Sequence, residues 1–279
     1  MRPVRIHSRN ASFQQWHALL GNRTKRSRQG EFLVQGVRPL TLALERDWPV
    51  RALLRTDGEL SAWAQGLWEG TAAGRHVILA DELMAELGGK DDSVPELLAV
   101  LELPADDLDR VLGPAQEPPL VTVFDRPASP GNIGTLVRSV DAFGGSGVVV
   151  TGHAADPYDP RCVRASTGSL LAVPVVRVPS HAEVLAWVRR RSAADGVPWT
   201  VLGLDEGGDL PLRSVDLSGP TVLVVGNETR GLTRAWREAC DHIVSIPMVG
   251  AASSLNAAVA GSVVLHEALQ QRLAGHSEA

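Results

Sequence analysis

The stretch LVTVFDRPASPGNIGTLVRSVDAFGGSGVVVTG, residues 120–152, decides how the chain is read. Two short valine-rich runs, LVTVFDR (120–126) and GVVVTG (147–152), flank NIGTLVRSVDAFG (132–144), whose apolar residues recur at helical spacing. A strand buried on both faces shows no polar alternation, so strand, helix and strand here make a β-α-β unit. The pattern continues. VPVVRV (173–178), WTVLGLD (199–205), TVLVVGN (221–227) and HIVSIPM (242–248) read as strands, with helices over about 181–191, 232–240 and 255–273. The expected fold is α/β, a parallel sheet with helices on both faces, whose ligands sit at the carboxyl ends of the strands.

Upstream, LPADDLDRVLGPAQEPP (103–119) is rich in Pro and Asp and lacks a sustained apolar period, which predicts a linker over 105–118. The first 104 residues read as a smaller α/β domain. SFQQWHALLGNR (12–23) and RPLTLALER (38–46) have helical spacing, while GEFLVQG, VRALLR, HVILA and LLAVLEL read as strands. The second domain then spans 119–279.

The 279 residues are 44% hydrophobic and 21% charged, an ordinary globular composition. No apolar run is long enough to cross a membrane, and the N-terminus has no apolar core of a secretory signal. Cys162 and Cys240 form no C-x-x-C pair, so neither a zinc framework nor another metal site is expected, and a reduced, cytoplasmic location is. The net charge of −5 conceals an asymmetry. Residues 1–60 carry eleven Lys/Arg against five acids, whereas residues 61–119 carry three against twelve. The run Arg23, Lys25, Arg26 and Arg28, followed by Arg38, marks a candidate polyanion site; its plain alternative is a solvated loop.

Three loops after strands carry polar residues. In the first, Pro130, Gly131 and Asn132 form a turn, Asn132 can cap the following helix, and Arg138 lies six residues on. In the second, VVGNETRGL (224–232), Gly226 ends a strand and Glu228 and Arg230 precede Gly231. Neither this loop nor GGSGVVVTG fits G-x-G-x-x-G, so a dinucleotide site is excluded. In the third, IPMVGAASSLNAAVAGSVVLHEAL (246–269), Ser253 or Ser254 can cap the last helix. Asn256, at the head of a helix of small residues, needs a partner. The histidines, among them His153, His242 and His266, show no triad pattern and read as surface or packing residues.

Together the three loops resemble the motifs of the SPOUT superfamily, in its SpoU/TrmH class of RNA 2′-O-ribose methyltransferases. The likeness rests on Asn132, Gly134, Arg138 and Ala142-Phe143-Gly144; on Gly226, Glu228 and Gly231; and on Ile246-Pro247-Met248 with Ser254-Leu255-Asn256. RASTGS (164–169) resembles a further segment of that family, and RTKRSRQGEFLVQGVRPLTLAL (23–44) resembles its L30e-like substrate-binding domain. Ala257-Ala258 stand where the family has Val-Ser. The resemblance implies a deep C-terminal trefoil knot, a homodimer, S-adenosyl-L-methionine as methyl donor and RNA, chiefly ribosomal, as substrate; the alternatives are a tRNA 2′-O-methyltransferase and a non-catalytic RNA-binding or ribosome assembly protein of the same fold. It assigns the donor to Leu204, Gly226, Asn227, Gly231, Ile246, Met248, Ser254 and Leu255. It assigns catalysis to Arg138, Asn132, Glu228, Ser254 and Asn256, and RNA binding to the basic residues of the first domain.

Overall fold

The computed structural model describes residues 3–88, 94–113 and 118–277. The chain begins β1 (Val4–Ile6), α1 (Ala11–Gly21), α2 (Arg23–Gln29), β2 (Glu31–Gln35) and α3 (Val37–Glu45). β3 (Val50–Thr56), α4 (Ala62–Gly70), β4 (His76–Leu79), α5 (Asp81–Gly88) and β5 (Leu97–Glu102) follow. Next come β6 (Leu120–Asp125), α6 (Pro130–Ala142), β7 (Gly147–Thr151), α7 (Pro160–Ala165), β8 (Val175–Val178) and α8 (His181–Asp195). β9 (Thr200–Leu204), β10 (Leu210–Pro211), β11 (Thr221–Val225), α9 (Arg234–Ala239), β12 (His242–Ser245) and α10 (Ala257–Ser277) complete it. Two compact units result: Met1–Pro104 with Tyr158–Ala172, and Ala105–Pro157 with Val173–Ala279.

The second unit holds a seven-stranded sheet in the order β10-β12-β9-β11-β6-β7-β8, with every neighbouring pair parallel. Its valine-rich strands are buried: Val121, Val123, Val149, Val176, Val222 and Val224 share a cluster with Trp187, Trp199 and Trp236. α10 packs on α6 and β11 at Gly261, where an added Cβ would lie 2.7 Å from Leu136 Cδ1 and 3.2 Å from Val225 Cγ2.

The expected linker differs from what is seen. Residues Leu108–Leu112 form a 3₁₀ turn that belongs to the second unit, and Val111 is fully buried against the sheet. Arg177 pairs with Asp106 at 2.8 Å, and Trp187 Nε1 donates to Asp109 at 2.7 Å. The acids that made this stretch look solvated are paired, and three apolar residues are too few to show a period. Its remainder, 114–117, lies outside the described residues.

The first unit has a five-stranded sheet, β1-β4-β3-β5-β2, in which β5 runs antiparallel to β3 and β2. Phe13, Trp16 and Leu19 of α1 pack on Leu33, Leu54, Val77 and Val100. Tyr158–Ala172, expected in the second domain, belongs to this unit. Tyr158 packs on Phe32 with ring centroids 4.9 Å apart, and Trp48 Nε1 donates to the Leu171 carbonyl at 2.9 Å. α2 is a helix where a loop was the alternative. Asn22 caps its start by accepting from the Lys25 N–H at 3.0 Å, and Gly30, at φ 66°, ends it.

Candidate active site

The loops after β9, β11 and β12 meet the start of α10 around a cavity of about 320 Å³. All eight residues expected to hold the donor line it: Leu204, Gly226, Asn227, Gly231, Ile246, Met248, Ser254 and Leu255. Glu228 lines it too. Convergence at the carboxyl end of a parallel sheet follows from the strand direction. The loop after β11 is shaped by its glycines. Asn227 and Gly231 exchange backbone hydrogen bonds at 3.1 and 2.9 Å, and Gly231 takes φ 62°. A Cβ on Gly226 would lie 2.3 Å from the Gly231 carbonyl carbon, so only glycine lets this loop fold back on itself.

Glu228 anchors a hydrogen-bonded chain. Its carboxylate accepts from the Ala128 N–H at 2.8 Å, the Ser129 N–H at 3.0 Å and Asn132 Nδ2 at 3.1 Å. Asn132 Oδ1 in turn accepts from Asn256 Nδ2 at 3.1 Å. The loop after β11, the first turn of α6 and the cap of α10 are thus locked together, and neither amide is free to flip. Burial alone would lift the Glu228 carboxyl. The backbone N–H groups of Ala128, Glu228 itself and Ser129, with the Asn132 amide, outweigh it and hold the carboxyl below its ordinary 4.5.

Both caps differ from expectation. α6 is capped by Ser129, whose hydroxyl accepts from the Asn132 N–H at 3.4 Å, with Pro130 at the first helical position. Asn132 lies inside the helix, which frees its amide for Glu228 and Asn256. α10 is capped by Asn256, whose Oδ1 accepts from the Ala258 and Val259 N–H groups at 2.9 and 3.3 Å. Ser254 sits two residues earlier on the cavity wall. Cap preference does not separate Ser from Asn, so spacing alone could not choose between them.

Arg138 is exposed on α6 and makes no hydrogen bond or ion pair among the described residues. It does not line the cavity, and neither do Asn132 and Asn256. Of the basic residues in the first unit, Arg23, Lys25, Arg28 and Arg38 are exposed. Arg26 is not. It is 2% exposed, its Nη1 donates to the Leu19 carbonyl at 2.5 Å, and its Nη2 lies 3.7 Å from Asp159. Its expected contact with RNA is therefore corrected to a structural role, because four basic residues on one short helix cannot all face outward.

Sequence reasoning missed Asp205, Glu206, Thr229, Arg230 and Arg237, which also line the cavity. Arg237 donates to Asp205, which follows β9 directly. Its place just beyond a strand's carboxyl end was the available signal. Cys162 is buried, and burial and Asp241 push the Cys240 thiol up to about 12, so Cys240 offers no thiolate near neutral pH. Among the described residues no His/Cys/Asp/Glu group could hold a metal, and no helix is long and apolar enough to cross a membrane.

The model of the SpoU rRNA Methylase family matches residues 119–266, and that of the SpoU L30e-like domain matches residues 10–99. The chain is 56% identical over 275 residues to the 23S rRNA (uridine(2479)-2′-O)-methyltransferase of Streptomyces viridochromogenes, covering 98% of this chain and 94% of that protein. A crystal structure of the SpoU methyltransferase AviRb from the same organism, in complex with AdoMet, superposes with a TM-score of 0.90 at 55% identity, covering 95% of this chain and 99% of that one. An AdoMet-bound rRNA methyltransferase from Sinorhizobium meliloti superposes with a TM-score of 0.81 at 27% identity, covering 95% and 97%.

Proposed function

The chain belongs to the SpoU rRNA methylase family, and we propose that it methylates a uridine ribose 2′-OH in 23S ribosomal RNA, as a cytoplasmic homodimer. It is an S-adenosylmethionine-dependent RNA 2′-O-methyltransferase. The observation that carries the reading is the single cavity on which every expected donor residue converges, beside the locked Glu228.

The cavity fits the donor. At about 320 Å³ it lies within the range of small-molecule sites. Leu204, Val225, Ile246, Met248 and Leu255 give it apolar walls that would suit an adenine, and Asp205, Glu206 and Glu228 add carboxylates that would suit a cationic sulfonium. Backbone groups at Gly226, Ile246 and Leu255 would hold the adenosine. Bound there, the donor supplies an electrophilic methyl group on sulfur. In the methyl transfer it would support, the thioether would leave as the ribose oxygen takes the methyl group, and the hydroxyl proton would pass to solvent water. Such an in-line displacement depends above all on positioning. Glu228, Asn132 and Asn256 supply a fixed frame for it, with Ser254 on the cavity wall. Arg138, exposed and unpaired, binds the target phosphate and polarises the hydroxyl. A guanidinium does not give up its proton in proteins, so Arg138 is not the base.

The homodimer is supported by apolar side chains left in water beside the site. Val249, Leu255, Val259 and Val263 are 105%, 38%, 45% and 37% exposed. Residues 259 and 263 are one helical turn apart on α10. The path of the chain supports the knot: it leaves β11, passes beyond β9 to β12 and returns through 246–256 to pack α10 on α6. The test is incubation with methyl-labelled S-adenosylmethionine and unmodified 23S rRNA or tRNA. Label in 23S rRNA is expected, and label confined to tRNA would overturn the substrate.

A further inference from the structure

Two helices far apart in sequence lie together in the first unit. Arg26 of α2 reaches Asp159, and Asp159 caps α7 by accepting from the Arg161 N–H at 2.9 Å. The pair, with Arg26 buried and Asp159 partly exposed, therefore ties α2 to the start of α7. The turn after α7 approaches α3, where a Cβ on Gly168 would lie 2.8 Å from Leu42 Cδ1 and 3.4 Å from Arg38 Cγ. On α2 and α7 the exposed charges have one sign, Arg23, Lys25, Arg28, Arg161 and Arg164, and Arg38 adds to them from the start of α3, whose one acid, Glu45, lies at its far end.

Acids are nearly missing. Residues 22–30 contain none, and residues 158–172 contain only Asp159. That carboxylate is already answered. Burial alone would raise it, but hydrogen bonds from Arg161 and the charges of Arg161 and Arg26 hold it below its ordinary 3.8. Arg164 is exposed, and its guanidinium has no hydrogen bond or ion pair among the described residues. Arg161 spans only its neighbour Asp159, with its side chain 67% exposed. Three residues apart on one helix, the two guanidiniums lie on neighbouring positions of one face, and their planar forks suit phosphate.

We propose that α7, which the sequence places in the methyltransferase half, is part of the RNA-recognition surface, with Arg161 and Arg164 binding phosphates beside α2 and α3. The proposal rests on RNA being the substrate. A solvated helix would leave these arginines indifferent to salt and RNA. Phosphate contacts would not, because each one releases counterions and adds about 0.7 to 0.9 to the slope of log affinity against log salt.

The experiment measures binding of labelled poly(U) and of an unmodified 23S rRNA transcript to the full chain across a salt series. Calorimetric titration of S-adenosylmethionine serves as the check on folding. Arg161→Gln with Arg164→Gln should lower the slope by about 1.4 to 1.8, leaving donor affinity within about twofold. Arg164→Gln alone, which breaks no side-chain hydrogen bond or ion pair among the described residues, should lower it by about half as much, and Arg164→Lys should restore it. An unchanged slope in a donor-binding Arg164→Gln protein, with normal RNA binding by the wild type, overturns the role of α7 alone. If the wild type binds neither RNA in a salt-dependent way, the RNA reading falls and this proposal with it.

Discussion

Arg138 is exposed and unpaired, so its loss takes nothing visible from the folded protein. Arg138→Ala should leave S-adenosylmethionine affinity within about threefold, below ~0.7 kcal/mol. Single-turnover transfer should slow by at least ~10²-fold, the usual scale for one positioned electrostatic group. Arg138→Lys should rescue little, since an ammonium cannot hold phosphate and hydroxyl in one plane. Loss of donor binding instead would make Arg138 a pocket residue. Glu228 is the opposite case, fully engaged. Glu228→Gln replaces a carboxylate that accepts from Ala128 N–H, Ser129 N–H, Asn132 Nδ2 and Asn227 Nδ2 with an amide whose NH₂ would face N–H donors. The expected cost is about 1.5–3 kcal/mol in denaturant unfolding. Because the folded carboxyl lies below 4.5, its contribution is complete above that pH and is lost as pH falls through the depressed value. The stability difference between wild type and Glu228→Gln should therefore be flat from pH 8 to 5 and shrink on further acidification. A difference that grows there would contradict the sign. At this scale the sequence was legible where a residue type was out of place, as Asn256 among alanines is. It was silent on Arg26, whose burial depends on Asp159, 133 positions away.

Among the elements, the loop after β11 makes the tightest demand. Gly226→Ala puts a methyl 2.3 Å from backbone that has nowhere to go, so the Asn227–Gly231 pairing should open. Donor affinity should fall at least tenfold in titration, with the melting temperature also reduced. A variant that binds the donor normally would show that this loop does not shape the pocket. α10 makes the second demand: Gly261→Val meets Leu136 and Val225 and should cost about 1–3 kcal/mol in urea unfolding. The parallel sheet was readable because strands buried on both faces are written as runs of valine. α7 and the turn at Leu108–Leu112 were not, because each packs through a few apolar residues and shows no period. Which sheet a six-residue helix joins is decided by partners such as Phe32 and Trp48, and periodicity carries no record of them.

For the whole molecule, the boundary between units has consequences a linear reading would get wrong. A fragment of residues 119–279 keeps every cavity residue and should bind S-adenosylmethionine, but it lacks the turn that carries Val111. One starting at residue 105 should melt several degrees higher, because burying a valine is worth about 1.5–3 kcal/mol. Both leave Tyr158, Cys162, Leu170 and Leu171 without the first unit's core, so both should bind a hydrophobic dye that the full chain does not. Equal melting temperatures would show that the turn adds nothing. The central claim concerns the product. Unmodified 23S rRNA treated with the protein and S-adenosylmethionine would be digested to nucleosides and analysed by mass spectrometry. The account predicts one 2′-O-methyluridine per transcript, formed by the wild type and lost with Arg138→Ala. A methyl group on a base, or no methylated nucleoside from a protein that binds the donor, would contradict it.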